Sequence, residues 1–264
     1  MIVDGKEIAK NIYEEIKREL SANSQVPHLT VFTCAPTGET QQYLRLKMRK
    51  AREVGISVSV IEFDQSVTTA EVVVSIVKTA ETTEGIVVQL PFPSHIDTDE
   101  ILRAIPGGLD VDVANLESGS YKVLPPVVGA IKEIAARHEV DFKDKKVAVV
   151  GQGRLVGKPA ALWATAQSSM VTVVDKKTPD ADLILKEADI IISGAGVPGL
   201  ITPEKIKEGA IIFDAGTSED GGVLRGDADP LCAPKCALFT PVPGGIGPIT
   251  VAVLLRNLIL LARK

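Results

Sequence analysis

The chain has 264 residues, 45% of them hydrophobic and 24% charged, with a formal net charge of −5. That length fits two domains or one large one, and the apolar fraction is ample for a packed core. The acidic balance, without a dense Lys/Arg run, argues against a nucleic-acid-binding surface. No apolar run approaches the length needed to span a bilayer, and the opening "MIVDGKEIAK" turns polar too soon for a signal peptide. A soluble cytoplasmic protein is expected.

In chain order, "GKEIAKNIYEEIKREL" places Ile8, Ile12, Ile16 and Leu20 on one helical face. "HLTVFTC" reads as a strand and "APTGE" as a loop. A strongly basic helix then runs from Thr40 to Val54, stopped by Gly55. "ISVSVIEF" is a strand, and "TTAEVVVSIVKTA" a helix with Thr68 or Thr69 as N-cap. "GIVVQLPFP" is a short buried strand halted by its prolines, and "TDEILRAI" a short helix. The alternation predicts a parallel α/β sheet with crossover helices.

"PGGLDVDVANLESGSYKVLPP" has loop composition and marks a candidate domain boundary, followed by a linking helix, "VVGAIKEIAARHEV". The apolar runs "KVAVV", "MVTVV", "ADIIISG" and "GAIIFDAG" fit strands of a second parallel sheet buried on both faces. "ITVAVLLRNLILLARK" reads as a closing amphipathic helix. Cys232 and Cys236 lie in "CAPKC" without a second pair or a nearby His, so Cys34, Cys232 and Cys236 are read as free thiols and no metal site is expected.

Between "KVAVV" and the next helix lies "GQGRLVG", in which Gly151, Gly153 and Gly157 are one residue longer than the usual dinucleotide fingerprint. Gly151 permits a tight turn after the strand and Gly153 a close approach to pyrophosphate, with helix N–H groups behind. Asp175 ends the next strand, about twenty residues on, where an acidic side chain can bond an adenosine ribose. The bland alternatives are a ligand-free turn and a solvated Asp; both features in this order favour dinucleotide binding.

Four polar residues of the front half stand where packing does not require them. Tyr43 and Lys47 share a face of the basic helix. Gln89 closes an apolar strand, where open α/β sheets bind ligands, and Asp112 sits in the boundary loop. Singly, each has an ordinary reading as packing, surface charge, satisfied amide or turn former.

Together, "YLRLKMRKAREVGI", "GIVVQLPFP", "LDVD", "GQGRLVGKP" and "TPVPGGIGPIT" resemble the bifunctional methylenetetrahydrofolate dehydrogenase/methenyltetrahydrofolate cyclohydrolase (FolD) family, and "IVDGKEIA" and "FDAGTS…LRGDAD" fit as well. The resemblance covers essentially the whole chain in the family's order. It implies an α/β fold of two α/β domains. The N-terminal catalytic, folate-binding domain would take residues 1–122 plus a returning C-terminal helix, 249–264. A Rossmann-type NAD(P) domain would take residues 123–248.

The implied reactions are oxidation of 5,10-methylenetetrahydrofolate to the methenyl compound with NAD or NADP, and hydrolysis of that product to 10-formyltetrahydrofolate. Lys47 would be the general acid/base, Gln89 would hold its amine, Tyr43 would stack on the folate, and Asp112 would bond the pterin. Leu90, Pro91, Pro243, Gly244 and Gly245 would complete the substrate contacts. Gly151, Gln152, Gly153, Arg154, Val156, Gly157, Asp175, Lys176, Gly194 and Thr217 would bind the cofactor. A homodimer is implied, with no membrane or nucleic-acid partner and no metal.

The chain departs from the family's pattern at several positions. Gln152-Gly153 replaces Arg-Ser, Asp175-Lys176 replaces His-Ser, Leu109 stands for Lys and Val113 for Gly, "APTGET" replaces a G-D-D-P-A-S-like loop, and "LPPVVG" replaces P-C-T-P-x-G. A neutral Gln152 and an anionic Asp175 lean towards NAD, with use of both cofactors as the alternative. Other readings are a dehydrogenase lacking the cyclohydrolase, which retention of Lys47 opposes, a catalytically silent folate or nucleotide binder, and a small-acid dehydrogenase of similar plan.

Overall fold

A computed structural model describes residues 1–22, 25–36, 38–114, 122–168, 170–220 and 223–263. The chain divides into two compact units: Met1–Ala9 with Val127–Thr250, and Lys10–Pro126 with Val251–Lys264.

The second of these units is built on a three-stranded parallel sheet. Its strands are β1 (His28–Cys34), β2 (Ser57–Phe63) and β3 (Gly85–Val88), in the order β2-β1-β3. Its helices include α2 (Gly38–Val54), which starts two residues before the expected Thr40, α3 (Thr69–Thr79) and α4 (Thr98–Arg103). Thr68 is the N-cap of α3, in a reciprocal capping box with Glu71. One face of the sheet, with Phe32, Cys34, Ile86 and Val88, packs on Val72 and Ile76 of α3 and Ile101 and Leu102 of α4. Strand alternation turns Leu29, Gly85 and Gln89 to the other face.

The other unit holds β4 (Val147–Val150), β5 (Val171–Val174), β6 (Ile190–Ser193), β7 (Ile211–Asp214) and β10 (Leu238–Phe239). They form a parallel sheet in the order β10-β7-β6-β4-β5. Helices α5 (Pro126–Arg137), α6 (Gly157–Gln167) and α7 (Ala181–Glu187) belong to this half of the chain, with an antiparallel hairpin of β8 (Ser218–Asp220) and β9 (Val223–Arg225). β4 and β6 are buried throughout, as strands covered on both faces require.

Helices α1 (Gly5–Ala22) and α8 (Ile246–Ala262) each begin in the sequence of one unit and continue in the other. The opening residues group with the Rossmann-type sheet through backbone bonds: Val3 N–H donates to Phe239 O and Phe239 N–H to Met1 O, both at 2.9 Å.

The closing helix corrects the amphipathic expectation. From Ile249 to Ile259 every residue but Arg256 is buried, because α8 is core rather than cover. Its later turns do return to the catalytic sheet. A Cβ on Gly85 would stand 2.5 Å from Leu258 Cδ1, so glycine is what admits the helix there. Among the described residues, no helix is long and apolar enough to cross a membrane, and no three His, Cys, Asp or Glu side chains group to hold a metal. The three cysteines are buried free thiols.

Candidate active site and dinucleotide site

The 3.6-residue helical period puts Tyr43 and Lys47 on one face of α2, and that face meets the end of β3. Lys47 Nζ donates to Gln89 Oε1 at 3.0 Å, lies 4.0 Å from Asp112 Oδ2 and sits 4.7 Å from the centroid of the Tyr43 ring. All four predicted polar residues therefore come together around one amine. Lys47 is only 4% exposed. Burial lowers its pKa from the ordinary lysine value, and the Asp112 charge opposes that shift. Burial and then Asp112 raise the Tyr43 phenol, which stays protonated.

Each member is held by its own element. Gln89 follows β3 directly; its N–H donates to Phe32 O at 2.8 Å and its carboxamide to Leu90 O at 3.2 Å. Asp112 follows a stretch that pairs beside β3, where Ile86 N–H donates to Leu109 O at 2.7 Å. Asn257 of α8, buried, donates to Val111 O at 3.0 Å and Leu124 O at 2.8 Å, clamping both ends of the Asp112 loop. Residues 115–121 of that loop lie outside the described residues. Val113 stands at φ 50 and Ala35 at φ 42. Both are left-handed positions where the resembled pattern has glycine, and for a β-branched valine this conformation is strained.

Leu90 and Pro91, joined by a cis peptide bond, follow Gln89. Pro243, Gly244 and Gly245 belong to the other unit, where Gly5 N–H donates to Gly244 O at 2.9 Å.

In the Rossmann-type unit, the predicted cofactor residues line the carboxyl ends of four adjacent strands. Thr217 follows β7, Gly194 follows β6, the 151–157 turn follows β4, and Asp175 follows β5. The order reverses at β4, the switch point where open α/β sheets take ligands. Gly151 adopts φ 96, and a Cβ there would stand 2.8 Å from Gly194 O. A Cβ on Gly157 would overlap the Gly151 carbonyl, and one on Gly194 would overlap Val156. A Cβ on Gly153 would meet only Gly194 O, at 3.9 Å, and the N-cap of α6, Val156, makes no side-chain cap bond. A glycine-lined backbone cradle at the start of α6, where Lys158 N–H donates to Gly153 O at 3.0 Å, fits a pyrophosphate.

Asp175 accepts from Gln152 Nε2 at 2.7 Å, Lys177 N–H at 2.8 Å and Thr178 Oγ1 at 3.1 Å. The Lys177 bond, first among these, lowers its pKa and keeps it ionised. Gln152, Arg154 and Lys176 are exposed.

Sequence reasoning assigned no role to Ser193, Asp214 and Asp227, which form a buried network beneath these loops. Gly216 and Gly226 flank the network, but what each makes room for is visible only once the distant segments meet. A Cβ on the first would overlap the Asp227 carboxylate, and on the second the Asp214 carboxylate.

A parallel α/β unit with a buried lysine beside a carboxamide and a carboxylate, and a second unit with a glycine-rich cradle at its switch point, define a dinucleotide-dependent α/β enzyme equipped for proton transfer. The signature of the tetrahydrofolate dehydrogenase/cyclohydrolase catalytic domain covers residues 3–112, and that of the corresponding NAD(P)-binding domain covers residues 125–264. The chain belongs to this family.

The bifunctional protein FolD of Macrococcus caseolyticus is 35% identical over 277 residues, spanning 100% of this chain and 98% of that protein. Two solved structures superpose with TM-scores of 0.94. The bifunctional FolD enzyme of Campylobacter jejuni is 30% identical, covering 100% of this chain and 98% of its own. The Trypanosoma brucei FolD, complexed with NADP and an inhibitor, is 32% identical, covering 100% and 97%. The chain is a bifunctional dehydrogenase and cyclohydrolase of folate one-carbon metabolism and uses a nicotinamide dinucleotide.

Proposed function

We propose that Lys47 is the proton-transfer group of the cyclohydrolase, that Asp112 and Tyr43 hold the folate beside it, and that the dehydrogenase prefers NAD. The observation that carries the first part is the buried Lys47 amine, 3.0 Å from Gln89 Oε1. An ammonium near its ordinary pKa cannot accept a proton at neutral pH, whereas a desolvated amine can. A cationic methenyl substrate arriving beside it disfavours the ammonium further. The neutral amine then takes a proton from the water as its oxygen bonds the methenyl carbon, and returns that proton to the ring nitrogen. The carbinol loses its hydroxyl proton to solvent as the carbon–nitrogen bond breaks and the formyl C=O forms. Gln89 fixes the amine, since its oxygen accepts from either protonation state of the lysine. Asp112 accepts hydrogen bonds from the pterin N–H groups, and the Tyr43 ring offers a stacking face. Oxidation of the methylene carbon leaves a cation shared by two nitrogens, so the chain's task there is orientation. When bound, the nicotinamide dinucleotide supplies the hydride acceptor. Residues 151–157, Gly194 and Thr217 would hold it.

The NAD preference rests on Asp175. Three donors pin its carboxylate in the ionised state, and an anion there bonds a free ribose hydroxyl and repels a 2′-phosphate. Gln152, bonded to that carboxylate, supplies no positive charge. Steady-state kinetics with methylenetetrahydrofolate and each cofactor tests this. The parent should show the higher kcat/KM with NAD, and Asp175→Ser should shift the ratio towards NADP. A parent that strongly favours NADP would sink the preference; comparable use of both would point to Lys176 or Lys177 offsetting Asp175.

The reading includes a homodimer formed through β5. This strand is a sheet edge and exposes Val173 at 37%, beside Met170 at 41%. Val173→Lys should move the sedimentation coefficient from dimer to monomer. An unchanged dimer would place the interface elsewhere.

A further inference from the structure

Beneath the cofactor loops lie two carboxylates that the chemistry above does not use. Asp227 is fully buried and accepts three short bonds from one segment: Ser193 Oγ at 2.6 Å, Ala195 N–H at 2.7 Å and Val197 N–H at 2.7 Å. These are the lengths of charge-assisted hydrogen bonds, and they satisfy both oxygens. Asp227 is itself held by Asp214, whose Oδ1 accepts from Asp227 N–H at 3.2 Å and Gly216 N–H at 2.9 Å, and whose Oδ2 accepts from Ala228 N–H at 2.8 Å. Asp214 N–H in turn donates to Thr240 Oγ1 at 2.7 Å.

The segment held this way is the loop after β6, and it is the wall of the glycine-rich turn. Gly151 packs against the Gly194 carbonyl and Val156 against the Gly194 Cα, both too closely for any side chain between them. Without an acceptor at Asp227, the Ala195 and Val197 N–H groups would seek other partners and the loop would leave this register.

We propose that Asp227 is a positioning residue for the nicotinamide dinucleotide, setting the 194–197 loop against the 151–157 turn, with Ser193 as its side-chain anchor. This rests on the reading that Gly194 and the turn line the cofactor site. An Asn at 227 would present an NH₂ to donors that need acceptors, so Asp227→Asn is the informative change.

The dissociation constants of NAD and NADP, by calorimetry, should rise about tenfold or more in Asp227→Asn and about threefold in Ser193→Ala. Hydrolysis of methenyltetrahydrofolate, assayed without cofactor, should continue at the parent rate in both, because Lys47 and its partners belong to the other unit. If Asp227→Asn does not fold, Ser193→Ala decides. A lowered melting temperature with unchanged cofactor affinity would leave Asp227 a structural role only and overturn the proposal, as would a parallel loss of both activities. Gly153→Val, whose Cβ would meet only Gly194 O at 3.9 Å, separates the two readings. If it abolishes cofactor binding while the Asp227 variant binds normally, only the positioning role fails. If it leaves binding intact, the assignment of the cofactor site fails as well.

Discussion

The Lys47 amine is set between two opposed influences, burial, which lowers its pKa, and the Asp112 carboxylate 4.0 Å away, which raises it. Burial is the larger, so the group titrates below the ordinary lysine range. Lys47→Met removes the proton-transfer group and should lower ring-opening kcat by about 10²–10⁴-fold while folate still binds; hydrolysis at the parent rate would refute the role. In Asp112→Asn the counter-charge disappears, the ammonium loses its stabilising partner, and the acidic limb of the kcat–pH profile, below which the amine is protonated and cannot act as base, should move to lower pH. An upward move would mean that Asp112 does not face the amine in the working enzyme. Tyr43, Lys47, Gln89 and Asp112 could be picked out in the sequence only through the motifs around them taken together, since each alone has an ordinary reading. Asp227 and Asn257 could not, since their partners are backbone groups from distant segments.

At the level of elements, the start of α3 is specified locally. Thr68 Oγ1 accepts from Glu71 N–H at 3.3 Å, and Glu71 Oε2 accepts from Thr68 N–H at 2.8 Å. Thr68→Ala should cost about 1 kcal/mol in chemical denaturation without changing either activity; no loss would mean that solvent satisfies these N–H groups equally well. Helix α8 shows the opposite case. Its composition resembles a one-sided helix with polar Arg256 and Asn257, yet Asn257 is buried and spends its amide on the Asp112 loop. A polar residue within a helix carries no mark of which way it faces until something packs on it.

For the whole molecule, the buried Asp214 ties stability to pH. Desolvation, with Asp227's charge adding to it against the backbone bonds, raises Asp214 from 3.8 to about 6. The folded state therefore holds this proton more tightly than the unfolded state. The contribution is complete below pH 3.8 and is lost as pH rises through about 6, and at about 1.4 kcal/mol per pH unit it amounts to about 3 kcal/mol. Denaturation of the parent and of Asp214→Asn across this window should show the parent's relative stability falling between pH 4 and 7. A constant gap would place Asp214 in the ordinary carboxylate range.

The sequence by itself determined the alternation of strands and helices, the glycine-rich turn with Asp175 one strand later, and the four polar residues of the catalytic unit. Each is written in local periodicity or in a contiguous motif. Only the tertiary structure decided that Met1–Ala9 join the Rossmann-type sheet, that α8 is core, that Val113 is held in a left-handed conformation, and that Asp227 braces the loop beside the turn. Those outcomes depend on hydrogen bonds and close packing between segments far apart in the chain, for which no local pattern of residues stands as a sign.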